Sequence, residues 1–316
     1  MVLQILLLLL GFVILIKGAD WLVNGSVSLA KNYRISELAI GLTIVAFGTS
    51  APELVVNIIS SIKGFNDVTL GNVVGSNLFN LMFILGISGI VFPLTVQIKT
   101  IWNEIPFSLL AALILIFLAN YTFNRQNVLS LNRADGFILI AFFILFMIYI
   151  ITNLRTSKDV LDVGYKTFKP VFSSLLIIAG LTALVIGSRL VVNNAVKVAH
   201  EFGASEKLIG ITIVSAGTSL PELVTSLVAV FRKNSDIAIG NVIGSNIFNI
   251  FFILGISSLI SPVTYNKSFN TDILILIIST VLLFIFMFSG IRYKLDRWEA
   301  AILFIGYIVY ILYLLM

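Results

Sequence analysis

Apolar residues run along this chain in blocks of about twenty, separated by short polar stretches, and each block is long enough to cross roughly 30 Å of hydrocarbon as a helix. The pattern predicts ten spans, near residues 1–24, 38–62, 69–93, 103–122, 134–153, 171–195, 207–231, 238–261, 271–289 and 298–315. The first block lacks a basic leader and a small-residue cleavage site, so it reads as a retained span rather than a secretion signal. The longest polar connection, NLRTSKDVLDVGYKTFKP at 153–170, divides the chain nearly in half. The expected fold class is an all-α polytopic membrane protein of ten transmembrane helices.

The two halves repeat one another. Glu53 matches Glu222 and Gly71 matches Gly240, both at a displacement of 169 residues. The same displacement lays SELAIGLTIV (36–45) on SEKLIGITIV (205–214), and GNVVGSNLFNLMFILGIS (71–88) on GNVIGSNIFNIFFILGIS (240–257). No gap is needed from residue 36 to Pro93. Self-similarity of this kind marks two copies of one structural unit. The expected division is residues 1–153 as the first five-helix repeat, 154–170 as a cytoplasmic linker and 171–316 as the second repeat. Five is odd, so the second copy enters the membrane from the opposite side. Inverted repeats of this sort place a substrate site near the bilayer midplane, where interrupted helices from the two copies meet.

Composition agrees with a membrane chain and narrows its chemistry. Hydrophobic residues make up 59% and charged residues 11%, with a mean hydropathy of +1.09, whereas soluble domains are about one quarter charged. Cysteine is absent, which excludes disulfides, thiolate metal sites and cysteine nucleophiles. The one histidine, His200, reads as a solvated loop residue and cannot build a multi-histidine metal centre. With no cysteine and no histidine base, an enzyme is not expected. The net charge of +5 does not point to nucleic acid, because the basic residues lie in short loops and set orientation. With the amino terminus outside, the inner connections carry Lys31, Arg34, Lys99, Arg155, Lys158, Lys166, Lys169, Arg232, Lys233, Arg292, Lys294 and Arg297. The outer ones carry Lys63, Arg125, Arg133, Lys197, Lys207 and Lys267. Twelve against six predicts both termini outside.

Candidate chemistry sits in two places in each repeat. AFGTSAPELV (46–55) and SAGTSLPELV (215–224) put a proline and a carboxylate inside apolar spans. Proline lacks an N–H, so the carbonyls around Ala46 to Gly48 are expected to lose their helical partners. Thr49 and Glu53 are four apart and share a face, with Ser50 nearby. In the next span Asn72, Ser76 and Asn80 recur every four residues, with Asn77 beside them and Gly71 and Gly75 available for close helix approach. The second repeat supplies Thr218, Ser219, Glu222, Asn241, Ser245, Asn246 and Asn249. Every donor is oxygen, which suits hard cations such as calcium, magnesium and sodium. Glu53 and Glu222 together match the charge of one divalent ion.

GTSAPE and GTSLPE, each followed by GNVxGSNxFN, resemble the two α-repeats of the cation/calcium exchanger superfamily, nearest its prokaryotic sodium/calcium exchanger branch. The resemblance covers essentially the whole chain. It implies a secondary antiporter that exchanges Ca2+ for Na+ by alternating access, and the short loops point to a multi-pass protein of a prokaryotic plasma membrane, with both termini extracellular by the count of basic residues. It implies a central calcium position at Glu53 and Glu222 with Thr49 and Thr218. Flanking sodium positions would use Ala46, Ser50 and Ser76 on one side, and Ser215, Ser219 and Ser245 on the other. A middle position would be bordered by Asn80 and Asn249, where some relatives carry acids. The first and sixth spans would slide as a pair. Beyond Ca2+, Na+ and the lipid bilayer it implies no cofactor, no catalytic residue, no nucleic acid and no obligatory protein partner, so a monomer suffices.

Proton- or potassium-coupled exchange on the same site is the alternative. The proton-coupled relatives usually spell the motif differently, with asparagine and alanine ahead of the glutamate, and acids at Asn80 and Asn249 are missing. A channel fits an inverted repeat with broken helices less well than a transporter does. One pair breaks the repeat in charge: Asp20 aligns with Arg189. If these two meet one another or a neighbouring loop in one state, neutralising both should restore what each single change loses.

Overall fold

The computed structural model describes residues 2–121, 129–153, 167–202 and 215–315. Its helices are α1 Val2–Tyr33, α2 Glu37–Thr49, α3 Ala51–Lys63, α4 Asn66–Val91, α5 Thr100–Asn120 and α6 Arg133–Thr152. The second half gives α7 Pro170–Glu201, α8 Ser215–Thr218, α9 Leu220–Phe231, α10 Ser235–Ile260, α11 Phe269–Phe286 and α12 Arg297–Leu315. Among the described residues eight helices are long and apolar enough to cross a membrane, or nine when α2 and α3, bent by 47° at Ser50, count as one span. The span expected at 207–231 is represented by α8 and α9, and its first part lies outside the described residues.

Contacts divide the chain into two compact units, each built from both halves of the sequence. One comprises Met1–Pro52 and Thr152–Asn241, the other Glu53–Ile151 and Val242–Met316.

In the first unit α1 and α7 run antiparallel along a seam of small residues seven apart: Gly11, Gly18 and Gly25 face Gly187, Gly180 and Ser173. A Cβ on Gly18 would lie 2.9 Å from the Gly180 carbonyl, and one on Gly180 2.7 Å from the Gly18 carbonyl. The two backbones therefore touch directly, the packing that apolar helices adopt when lipid removes any hydrophobic drive to associate. Both helices are 32 residues, about 48 Å, and outrun the expected ends at 24 and 195. At the end of α1 the reason is local. Ser28 accepts from the Phe168 N–H at 2.8 Å and from the Ser173 hydroxyl at 2.8 Å, and Asn32 donates to the Phe168 carbonyl at 2.7 Å. Polar residues that looked like an exit into solvent are satisfied by protein.

In the second unit α4 and α10 form the core, with 78% and 94% of their apolar windows buried against 22–44% for α5, α6, α11 and α12. Gly86 of α4 packs on the Phe304 backbone of α12, and its repeat mate Gly255 of α10 packs on Leu139 and Ile140 of α6. Phe79 and Phe83 meet Tyr307, while Phe248 and Phe252 meet Phe143, so the phenylalanines here fill the core. Helices α6 and α12 start with the same backbone-to-acid cap. The Asn132 N–H donates to Asp135 at 2.8 Å, and the Asp296 N–H donates to Glu299 at 2.8 Å, which explains why these two acids are buried. Two short ladders join connections of opposite halves: β1 (Leu94–Thr95) pairs with β4 (Lys294–Leu295), and β2 (Ser130–Leu131) with β3 (Val263–Thr264).

Candidate functional site

Ser50 and its repeat mate Ser219 carry the two helix breaks. Their backbones are nearly identical, φ −81°, ψ 6° and φ −89°, ψ 10°, the sparsely populated bridge region. Proline follows two residues on in each case and cannot donate to the carbonyl four residues behind it. For Pro221 that carbonyl belongs to Gly217, and the Ser188 hydroxyl of α7 donates to it at 2.7 Å. The repeat mate of Ser188 is Ala19, which has no hydroxyl, so the two breaks are braced differently. The expectation that the Ala46 carbonyl loses its partner is not met. It accepts from the Ser50 N–H at 3.0 Å and from the Thr49 hydroxyl at 3.3 Å, because the helix runs on for one turn before it breaks.

The first unit gathers Ala46, Thr49, Ser50, Ser219 and Glu222, all at most 2% exposed, with Thr218 half-buried on α8 and Ser215 at the start of that helix. Ser50 donates to Glu222 Oε1 at 2.8 Å. Thr49 donates to Asn241 Oδ1 at 2.9 Å, and Asn241 in turn donates to the Glu222 carbonyl at 3.3 Å and to Ser226 at 3.0 Å. Hydroxyls of the first repeat thus serve the acid and amide of the second.

The second unit gathers Glu53, Ser76, Asn80, Ser245 and Asn249, again all buried. Ser76 lies 3.5 Å from Glu53 Oε1, and Asn72 donates to Asn57 Oδ1 at 2.6 Å and to the Glu53 carbonyl at 3.4 Å. Asn77 and Asn246, themselves repeat mates, exchange side-chain to backbone hydrogen bonds at 3.2 and 3.3 Å. Asn249 donates to Asn77 Oδ1 at 2.9 Å, which fixes its amide and leaves its own Oδ1 as the acceptor. That Oδ1, both polar atoms of Asn80 and the Ser245 hydroxyl are buried with no hydrogen-bond partner among the described residues. Buried polar atoms left unmade cost roughly 1–3 kcal/mol each, and these fall on residues of the duplicated motifs. Asn80 and Asn249 also stand in equivalent widened turns of π type, Phe79–Ile84 and Phe248–Leu254, a feature that recurs at functional sites.

Gly71 and Gly75 do not serve the close helix approach expected of them. A Cβ on Gly75 would meet nothing within 4 Å, and one on Gly71 only the Phe269 ring at 3.8 Å. Asn57, Ser226 and Ser188 were missed in the sequence. The first two stand four residues beyond Glu53 and Glu222, on the same helix face, and that spacing is a usable signal. Ser188 has no such signal, since its repeat mate is alanine.

Asp20 and Arg189 do not pair. Asp20 is in a salt bridge with Arg232, at the end of α9, and Arg189 is exposed.

Residues 3–152 and 172–316 match the family described as sodium/calcium exchanger protein. The sodium/calcium exchanger MaX1 of Methanosarcina acetivorans is 32% identical, the alignment covering 98% of this chain and 97% of that one. The inner membrane protein YrbG of Escherichia coli is 33% identical over 89% of each chain. Among solved structures, the sodium–calcium exchanger NCX_Mj superposes with a TM-score of 0.82 at 32% identity, covering 98% of both chains.

Proposed function

Because this chain belongs to the sodium/calcium exchanger family, we propose that it is an antiporter that exchanges Ca2+ for Na+ by alternating access. The family places it among multi-pass membrane transporters rather than enzymes. In this reading one Ca2+ is held near the membrane midplane by the carboxylates of Glu53 and Glu222, with Thr49 and Thr218. Sodium takes the hydroxyl and carbonyl positions at Ala46, Ser50, Ser76, Ser215, Ser219 and Ser245. The middle position belongs to Asn80 and Asn249. We place the protein in the plasma membrane with both termini outside.

The observation that carries the reading is the set of buried, unpartnered oxygens of Asn80, Asn249 and Ser245 beside an all-oxygen donor inventory with no cysteine. Neutral amide and hydroxyl oxygens suit hard cations and would be costly ornaments in an apolar core.

The ladder pairing supports inversion of the repeats. In each repeat the first ladder strand follows the third span and the second follows the fourth, so the two lie on opposite sides of the membrane. Parallel copies would bring β1 to the same side as β3. Instead β1 pairs with β4 and β3 with β2, as inverted copies require.

The test is labelled calcium uptake into liposomes holding the purified chain, with an outward sodium gradient and with pH or potassium gradients in its place. Uptake that needs sodium is expected. Glu53→Gln or Glu222→Gln should reduce it roughly a hundredfold, since removing one charged partner from a buried ionic site costs about 3 kcal/mol or more. Uptake that ignores sodium and follows pH would move the coupling ion to protons.

A further inference from the structure

Asp20 is an unusual residue to find in the middle of an apolar 32-residue helix, and it does not stand alone there. The Arg232 guanidinium, one residue past the end of α9, donates to Asp20 through one nitrogen and to Asn24 Oδ1 through another, while the Asn24 amide lies 3.4 Å from Asp20 Oδ2. Asp20 and Arg232 are about one-third exposed. The cluster ties α1 to α9, the half-helix that starts at the Ser219 break and carries Glu222.

The 169-residue displacement carries Asp20 to Arg189, Asn24 to Asn193 and Arg232 to Lys63. The exchanged positions therefore hold two cations, which cannot form a corresponding pair. The structure itself is not symmetric about the repeats. Helix α9 belongs with α1 and α7 in the first compact unit, whereas nearly all of its repeat mate α3 belongs to the second. An asymmetric arrangement of two inverted repeats has an exchanged counterpart.

We infer that Asp20, Asn24 and Arg232 are positioning residues that favour the arrangement of the repeats seen here, and that Arg189 and Lys63 deny the exchanged arrangement the same contact. The inference rests on the exchanger reading, in which the second state is reached by exchanging the conformations of the two repeats. A bias of this kind does not alter the ion site. It changes the fraction of molecules open to each side, so apparent affinity rises on one face and falls on the other.

The experiment measures the calcium dependence of sodium-driven exchange separately at the two faces of sided proteoliposomes. Asp20→Asn and Arg232→Gln should each shift half-saturation in opposite directions at the two faces, by about two- to fivefold, the range of a partly exposed ion pair. The double variant should shift no further than either single one. Lys63→Asp, at an exposed position, gives the exchanged pair opposite charges and should shift both faces in the same sense as Asp20→Asn. It carries the test if the α1 variants fail to fold. Equal changes at both faces, or none, overturn the inference. Absence of sodium-dependent exchange in the unaltered chain overturns the exchanger reading instead.

Discussion

At Ser188 a single hydroxyl replaces a hydrogen bond that Pro221 removes from the chain, by donating to the Gly217 carbonyl. Ser188→Ala leaves that carbonyl buried and unmatched and should lower unfolding stability by about 1–3 kcal/mol, read as a fall in the melting temperature of the detergent-purified protein. The glutamates, the hydroxyls beside them and Asn80 and Asn249 were all legible in the sequence, because they recur at one displacement and bring polar atoms into apolar blocks. Ser188, and the pairing of Asp20 with Arg232, were not. Each depends on which helix face lies opposite, and no local pattern carries that information.

Helices α1 and α7 were legible as apolar spans, but their seam was not, since glycine in an apolar run reads equally as packing or as filler. The geometry separates the cases. Gly180→Leu must push apart two backbones already in contact and should abolish exchange, measured as sodium-driven calcium uptake. Gly75→Ala meets nothing within 4 Å and should keep uptake near the unaltered level, with up to about 1 kcal/mol of added helix stability. The helix ends make a related contrast. Gly64 and its repeat mate Lys233 close α3 and α9 with positive φ, 72° and 58°. Lys233→Gly removes the left-handed penalty on a side chain and should raise the melting temperature, by the equivalent of about 1 kcal/mol.

For the whole molecule the decisive quantity is the charge of the proposed ion site. With asparagine at both 80 and 249, two carboxylates balance one Ca2+ or two Na+. Charge balance predicts exchange that changes little when a potassium diffusion potential is imposed across the liposome membrane. Asn249→Asp adds a third carboxylate beside Asn77 and should make the same exchange voltage-dependent.

The sequence by itself determined the class of protein, and it supplied the duplicated motifs and the oxygen donors from which the site is proposed. Apolar block length is set by bilayer thickness, and duplicated motifs survive any change in how the copies pack. It also carried the family, through motifs spelled twice. Only the tertiary structure decided how those residues are served: which hydroxyl meets Glu222, which amide holds Asn249, which cation answers Asp20, and which glycines touch. Those contacts join residues about 150 to more than 200 positions apart. The chain's local preferences are blind to them, because apolar helices in lipid choose neighbours by close fit and by satisfaction of the few polar groups they carry.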